Sequence, residues 1–249
     1  YIKQKLPVCF ILENVDFLAS KKHKAAFDFI LDQLKEITLK GTRKLAYDIH
    51  FQVLDTKVHG GLPQHRERMF IVGIRRDRKL LHFDFPGPIP MKSLLSLRDK
   101  ADAIREVPKE TATVRLKNIA EVESLLRQNG TNPRDYPIVV DADSGFEGTP
   151  QFNFGYCPTI TRTRGGARGF YCTDVGGMLS THEMCRLQGC RKKLKWRDII
   201  TETQLGQIAG NAMSIPIVGR ILVSLLPAAG LTLPLPDVWA KHVEVVCVL

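Results

Sequence analysis

Apolar and polar positions alternate between two periods over the first eighty residues. Residues 7–12 (Pro-Val-Cys-Phe-Ile-Leu) form an unbroken apolar run, the pattern of a strand buried on both faces. Phe27, Ile30, Leu31, Leu34 and Ile37 then recur at the helical spacing, with lysines on the other side and Gly41 soon after the last of them as a stop. Residues 47–54 alternate as a strand does, and residues 55–63, with Gly60-Gly61 inside them, read as a loop. Residues 69–74 (Met-Phe-Ile-Val-Gly-Ile) are a second buried strand pattern. Strand, helix, strand, loop and strand in that order predict an α/β sheet.

The pattern is weaker further on. Pro86, Pro88 and Pro90 mark an irregular crossing. A helix is predicted over 119–128, turns at Asn129-Gly130 and Asn132-Pro133, and a strand over 136–140. Ser180 with Glu183 three residues later has the form of a capping box, and Met184, Leu187 and Gln188 continue a short helix from it. Residues 202–226 carry a helical pattern interrupted at Gly210-Asn211 and at Pro216. Asn211 and Ser214 amid Ile208, Ala209, Ile215, Ile217 and Val218 predict a buried loop-to-helix junction. The tail from Pro227 is proline-rich, ends in the apolar residues 243–249, and suggests no function. Residues 221–236 are the most apolar region. Pro227, Pro234 and Pro236 break them too often to span a bilayer, and no signal peptide is visible, so a membrane partner is not expected.

Composition adds a partner class. The chain has 249 residues, 44% apolar and 25% charged, which is ordinary globular usage. A net charge of +10 favours a polyanion, nucleic acid before acidic membrane. Six cysteines without a CxxC pair argue against a disulfide scaffold or a zinc site, and for an intracellular, reducing compartment. Residues 151–200 hold nine basic side chains against three acidic ones. Within them, residues 158–166 mix hydroxyls, arginines and glycines. Such a loop either brings backbone close to phosphates while arginines reach further, or is a solvated hairpin. Gln64, Arg66 and Arg68 occupy alternate positions and leave one face of an extended backbone, as a site for an anion or polar heterocycle or as a basic strand end that keeps an edge soluble. Glu13-Asn14-Val15 follow the first strand, where open sheets place ligands; Glu13 equally suits a cap on the next segment. The chain starts at Tyr1 and enters a strand pattern within a few residues, so an N-terminal part is expected to lie outside it.

Taken in order, these pieces resemble the C-terminal portion of a DNA (cytosine-5) methyltransferase. Glu13-Asn14-Val15 is similar to that family's Glu-Asn-Val motif. Residues 61–73, with Gln64, Arg66 and Arg68, resemble its Gln-x-Arg-x-Arg motif and the strand that follows. Leu179-Ser180-Thr181-His182-Glu183 with Arg186-Leu187-Gln188-Gly189 resembles its Leu-Thr-x-x-Glu and Arg-Leu-Gln-Gly motif, although Gly177-Met178 stand where the family often has an arginine. Gly210-Asn211-Ala212 is similar to its last motif. The four motifs keep order and spacing over about residues 7–226, with 80–150 carried by position alone.

The resemblance implies a partial Rossmann-like S-adenosylmethionine-dependent methyltransferase sheet plus a small target-recognition lobe. Residues 1–80 would be the C-terminal part of the catalytic domain, 81–200 the target-recognition region with its flanks, 201–226 a helix returning to the catalytic domain, and 227–249 a tail. It implies methyl transfer from S-adenosyl-L-methionine to carbon 5 of a cytosine flipped out of double-stranded DNA. Glu13, Arg68 and Arg66 would be catalytic, Asn14 and Gln64 would support the site, and Asn211 and Ala212 would line the cofactor pocket. Thr161, Arg162, Thr163, Arg164 and Arg168 would meet DNA. The family's cofactor loop and Pro-Cys nucleophile precede Glu-Asn-Val, and only twelve residues stand before Glu13, so neither is expected in this chain; Cys9 reads as a strand-interior filler. The expected partners are DNA and a missing N-terminal segment or subunit, and the expected place is the nucleus of a eukaryote or the cytoplasm of a bacterium or virus. Two other readings stay open: a non-catalytic DNA-binding remnant or subunit of a split methyltransferase, and a transfer-RNA cytosine-5 methyltransferase.

Overall fold

The computed structural model describes residues 1–99, 113–144, 150–190, 196 and 198–240. The chain packs as two units. The first takes Tyr1–Gly60, Glu67–Pro90 and the chain from Pro216; the second takes Gly61–Arg66 and Met91–Ile215.

In the first unit a helical turn, α1 (Ile2–Lys5), precedes strands β1 (Cys9–Val15), β2 (Tyr47–Asp55) and β3 (Glu67–Arg75), which lie in the order β1-β3-β2. Both outer strands are antiparallel to β3. β1 and β2 therefore run in the same direction, joined through helix α2 (Lys24–Lys35), with β3 inserted between them. β3 takes the centre because Met69–Ile74 is apolar throughout and buried on both sides. Its alternation divides the core. Met69 and Ile71 meet Phe27, Leu31 and Leu34 of α2, while Phe70, Val72 and Ile74 meet Ile217, Ile221 and Leu225 of α8 (Ile215–Ala228).

Four expectations change here. β1 is half-buried rather than buried on both faces, because it is an outer strand of the described sheet. Glu13, Asn14 and Val15 are its last three residues, not a loop beyond it. The loop predicted over 55–63 contains a helical turn, α3 (Thr56–His59), whose start is capped by the Asp55 carboxylate. Pro216 does not interrupt a helix but sits in the first turn of α8, where its missing N–H leaves no bond unmade.

The described part of the tail also has a packing role. Asp237 accepts a hydrogen bond from Arg220 Nε at 2.6 Å, and the Arg220 guanidinium donates further to the Gly87 carbonyl at 2.8 Å. The Trp239 ring lies where a Cβ on Gly219 would stand, 2.1 Å away. The apolar residues 243–249 lie outside the described residues.

The second unit holds α4 (Thr113–Gln128), which begins six residues earlier than its pattern predicts, and a four-stranded antiparallel sheet. Its strands are β4 (Ile138–Asp141), β5 (Phe152–Phe154), β6 (Phe170–Cys172) and β7 (Gly177–Met178), in the order β5-β4-β6-β7. Ile138 and Val140 face Ile119, Val122 and Leu126 of α4; Val139 points the other way, toward Phe170, Cys172, Leu179, Met184 and Leu187. Helix α6 (Thr181–Leu187) starts with the capping box read from Ser180 and Glu183. Helix α7 (Glu202–Asn211) starts with a second one, Thr201 with Gln204, whose T-x-x-Q spacing the sequence reading passed over. Asn211 is exposed at the end of α7, and only Ser214 of the predicted buried polar pair is buried.

The predicted glycine loop is a helix, α5 (Arg162–Ala167), capped by Thr161. Helix propensity disfavours Gly165 and Gly166 there. Packing overrides it: a Cβ on Gly165 would lie 2.1 Å from the Gly206 carbonyl oxygen, one on Gly206 2.2 Å from that of Gly165, and one on Gly210 2.2 Å from that of Thr161. α5 and α7 thus meet backbone to backbone. No single helix among the described residues is long and apolar enough to cross a membrane.

Gly206→Ala is expected to lower stability by about 1–3 kcal/mol, the usual cost of overpacking. Gly87→Ala, where a Cβ meets nothing within 4 Å, is expected to leave it within about 0.5 kcal/mol. Denaturant midpoints of the two variants check this.

Candidate functional site

Glu13 and Arg68 meet across the sheet of the first unit. Arg68 stands opposite both Val15 and Leu54 in the register, and Glu13 opposite Phe70. Glu13 is therefore the diagonal neighbour of Arg68 on the same face, a separation that only long side chains bridge. They do so with Nε of Arg68 3.1 Å from Oε1 of Glu13, the two side chains 15% and 22% exposed. Arg68 also donates to the Glu67 carbonyl at 2.6 Å. A carboxylate and a guanidinium lie side by side, partly desolvated and backed by the core strand. Asn14 is exposed beside them and uses its Oδ1 to accept from the Val15 N–H at 2.8 Å.

Gln64 and Arg66 have a different fate. The alternation predicts one face for Gln64, Arg66 and Arg68, but the first two belong to the second unit and are buried there, 0% and 2% exposed. Gln64 Nε2 donates to the Leu187 carbonyl at 2.8 Å, and its Oε1 accepts from the Ile160 N–H at 3.2 Å and from the Gln188 amide at 3.3 Å. Arg66 Nη1 donates to the Ile160 carbonyl at 2.8 Å; Nη2 donates to the carbonyls of Gly210 at 3.2 Å and Ala212 at 2.9 Å. Gly210 and Ala212 lie at the C-terminal end of α7, where carbonyls lack helical partners and the helix dipole is negative. Arg66 caps that end, so the open anion site suggested by spacing is not formed by these two side chains. Their partners lie about a hundred residues away, and nothing local in the sequence marks them.

The basic lobe is partly neutralised from within. Thr161, Arg162 and Thr163 are exposed at the start of α5, and Thr161 Oγ1 accepts from the Arg164 N–H at 3.3 Å. Arg164 turns inward, its Nε 3.1 Å from Asp141, with Asp143 3.9 Å from its Nη1. Burial pushes the Asp141 carboxyl above its ordinary range, while Arg164 opposes that rise. Arg168 is exposed, in left-handed backbone at φ 53°, with Nη1 3.6 Å from Glu202. Asp141 and Asp143 are the residues the sequence reading missed; their Asp-Ala-Asp spacing places both on one side of a strand end.

At the other end of α7, Asn211 is exposed and Ala212 follows in extended backbone, its carbonyl taken by Arg66. Cys9 packs on the α8 side of the sheet, its thiol pushed up by burial.

Known proteins resemble this chain over most of its length. It is 28% identical over 228 residues to the type II methyltransferase M.HaeII of Haemophilus aegyptius, and 28% identical over 235 residues to M.NgoBI of Neisseria gonorrhoeae. Each match takes in 90% of this chain and 63% of the relative, so the chain spans less than two thirds of the curated relatives it matches. The fold is shared with a crystal structure of an E. coli prophage protein described as a DNA modification methyltransferase, at a TM-score of 0.53 and 17% identity, over 91% of this chain and 70% of that one. The family model described as C-5 cytosine-specific DNA methylase matches residues 1–226, and the chain belongs to that family.

Proposed function

We propose that these residues form part of an enzyme that transfers a methyl group from S-adenosylmethionine to carbon 5 of cytosine in duplex DNA, acting on a base turned out of the stack. The Glu13–Arg68 pair carries this reading. Addition of a thiolate to carbon 6 pushes negative charge onto N3 and O2 of the ring. Stabilising that charge takes a carboxyl group that holds a proton at N3 and a fixed cation at O2, both set before the reaction. Glu13 is assigned to N3 and the exocyclic amine, Arg68 to O2. Gln64 and Arg66 are assigned a positioning role, since their polar atoms hold backbone.

S-adenosylmethionine supplies the methyl group when bound. The α7 end fits a wall of its pocket: the exposed Asn211 amide offers both a donor and an acceptor, and Ala212 a small apolar side chain on a backbone that Arg66 holds extended. Four of the described cysteines are poor candidates for the attacking thiolate. Cys157, Cys172 and Cys185 are buried, and burial raises the thiol of Cys9. The reading also includes that the 249 residues by themselves bind duplex DNA and transfer no methyl group. Arg162, Thr163 and Arg168 are the side chains assigned to phosphate and base contacts, with Thr161 holding their helix and Arg164 buttressing it.

In the full native protein that carries these residues, Glu13→Gln and Arg68→Ala are each expected to slow methyl transfer about 10²–10³-fold, the scale of losing one preorganised donor. Radiolabelled methyl incorporation into duplex DNA, with transfer RNA as the competing acceptor, checks the role and the substrate together; full activity in both variants overturns the assignment.

For the 249 residues alone, DNA affinity is expected to fall steeply with salt, with no methyl incorporation. Arg162→Ala is expected to reduce the salt slope by about one unit. Arg164→Ala is expected instead to lower the thermal midpoint, because it strands the buried Asp141. Binding titrations at several salt concentrations, paired with melting curves, separate the two effects.

A further inference from the structure

Among the described residues, two cysteines share one turn. Helix α6 ends with the Gly189 N–H donating to the Arg186 carbonyl at 2.8 Å and the Cys190 N–H donating to the Cys185 carbonyl at 3.1 Å. Gly189 lies in left-handed backbone at φ 91°. This is a Schellman turn, which brings the third residue from the helix end against the second residue beyond it, ordinarily as an apolar contact. Here both positions are cysteines. Their backbones are one hydrogen bond apart, which keeps the Cα atoms within the roughly 4.4–6.8 Å that a disulfide spans. The two side chains pack in the same small cluster. Cys185 is 4% exposed, among Leu205 and Ala209, while Cys190 is half-buried against the same cluster.

We propose that Cys185 and Cys190 form a modification site, a dithiol that a peroxide converts to an intramolecular disulfide. The half-buried sulfur is the one that reacts first. The thiolate of Cys190 attacks a peroxide oxygen, the O–O bond breaks, and the leaving hydroxide takes up a proton as water, which leaves a sulfenic acid on Cys190. The Cys185 sulfur then attacks that sulfur, the S–S bond forms, and the displaced hydroxyl departs as water with the Cys185 proton. Two thiols are oxidised and one peroxide is reduced to two waters. The direction follows from exposure: Cys185 is buried and its thiol is raised, while Cys190 is half-buried and its thiol is lowered to about 7 beside Cys185.

The turn is also an anchorage. The Leu187 carbonyl and the Gln188 amide bond to Gln64, and the Gln188 carbonyl accepts from the Ile215 N–H at 2.9 Å. A disulfide would staple the turn on which Gln64 and Ile215 are fastened. Reversible dithiol oxidation of this kind is what paired thiols do in reducing compartments, and it does not depend on methyl transfer.

The test uses the 249-residue chain, hydrogen peroxide and tryptic mapping without reductant. Cleavage after Arg168, Arg186 and Arg191 puts Cys185 in peptide 169–186 and Cys190 in peptide 187–191. Oxidised wild-type chain is expected to yield these two peptides joined, separable by dithiothreitol, with the joined yield rising as pH increases through about 7. In Cys185→Ser the oxidation stops at Cys190, and dimedone adds to peptide 187–191. In Cys190→Ser neither the joined pair nor the adduct forms. Failure of the wild-type chain to give joined peptides overturns the proposal. So does a joined pair that survives in Cys185→Ser, since Cys172 shares peptide 169–186 and would then be the partner.

Discussion

The structure of the second unit depends on satisfying one buried guanidinium. Taking an arginine out of water costs several kcal/mol unless its donors find acceptors. Arg66 finds three, the carbonyls of Ile160, Gly210 and Ala212. Two of these end α7 and are groups a helix cannot satisfy by itself. Ile160 immediately precedes the Thr161 cap of α5. One side chain therefore fixes the end of one helix and the approach to another. The backbone contact of Gly165 with Gly206, and of Gly210 with Thr161, needs both helices at that spacing. Gln64 extends the arrangement to the turn after α6 through Leu187, Ile160 and Gln188.

Two residues along the chain the same alternation serves another purpose. Arg68 begins the core strand β3 and pairs with Glu13 rather than with backbone. A guanidinium on three carbonyls is committed and rigid. One against a carboxylate at the sheet face is partly exposed and held by a single side chain. The Gln-x-Arg-x-Arg spacing thus holds an arginine bound to backbone carbonyls and an arginine paired with a carboxylate in one short stretch.

Arginine serves as internal cross-bracing elsewhere. Arg98 pairs with Asp174, Arg115 with Asp143, Arg186 with Asp99, and Arg220 with Asp237. These four arginines are therefore committed to the fold, while the net charge of +10 is left unchanged by such one-to-one pairs. Within α5 the division falls between neighbours: Arg162 is exposed and Arg164 is paired inward.

The sequence by itself determined what periodicity and local chemistry control. The β2 and β3 strands, the α2 face, the Ser180 capping box and the motif order that marks the family were legible, because each is set by residues within about one turn or one strand of each other. The α5 helix was not legible, since Gly165 and Gly166 argue against it until Gly206 and Gly210 are brought alongside. The half-burial of β1 was not legible either, because an apolar run does not say which strands flank it. The separation of Arg66 from Arg68 belongs to the same class. Period two puts both on one face only while the strand is straight and in one unit. Which arginine is spent on carbonyls and which meets Glu13 was decided by acceptors some hundred residues distant, and only the packed chain brings those to hand.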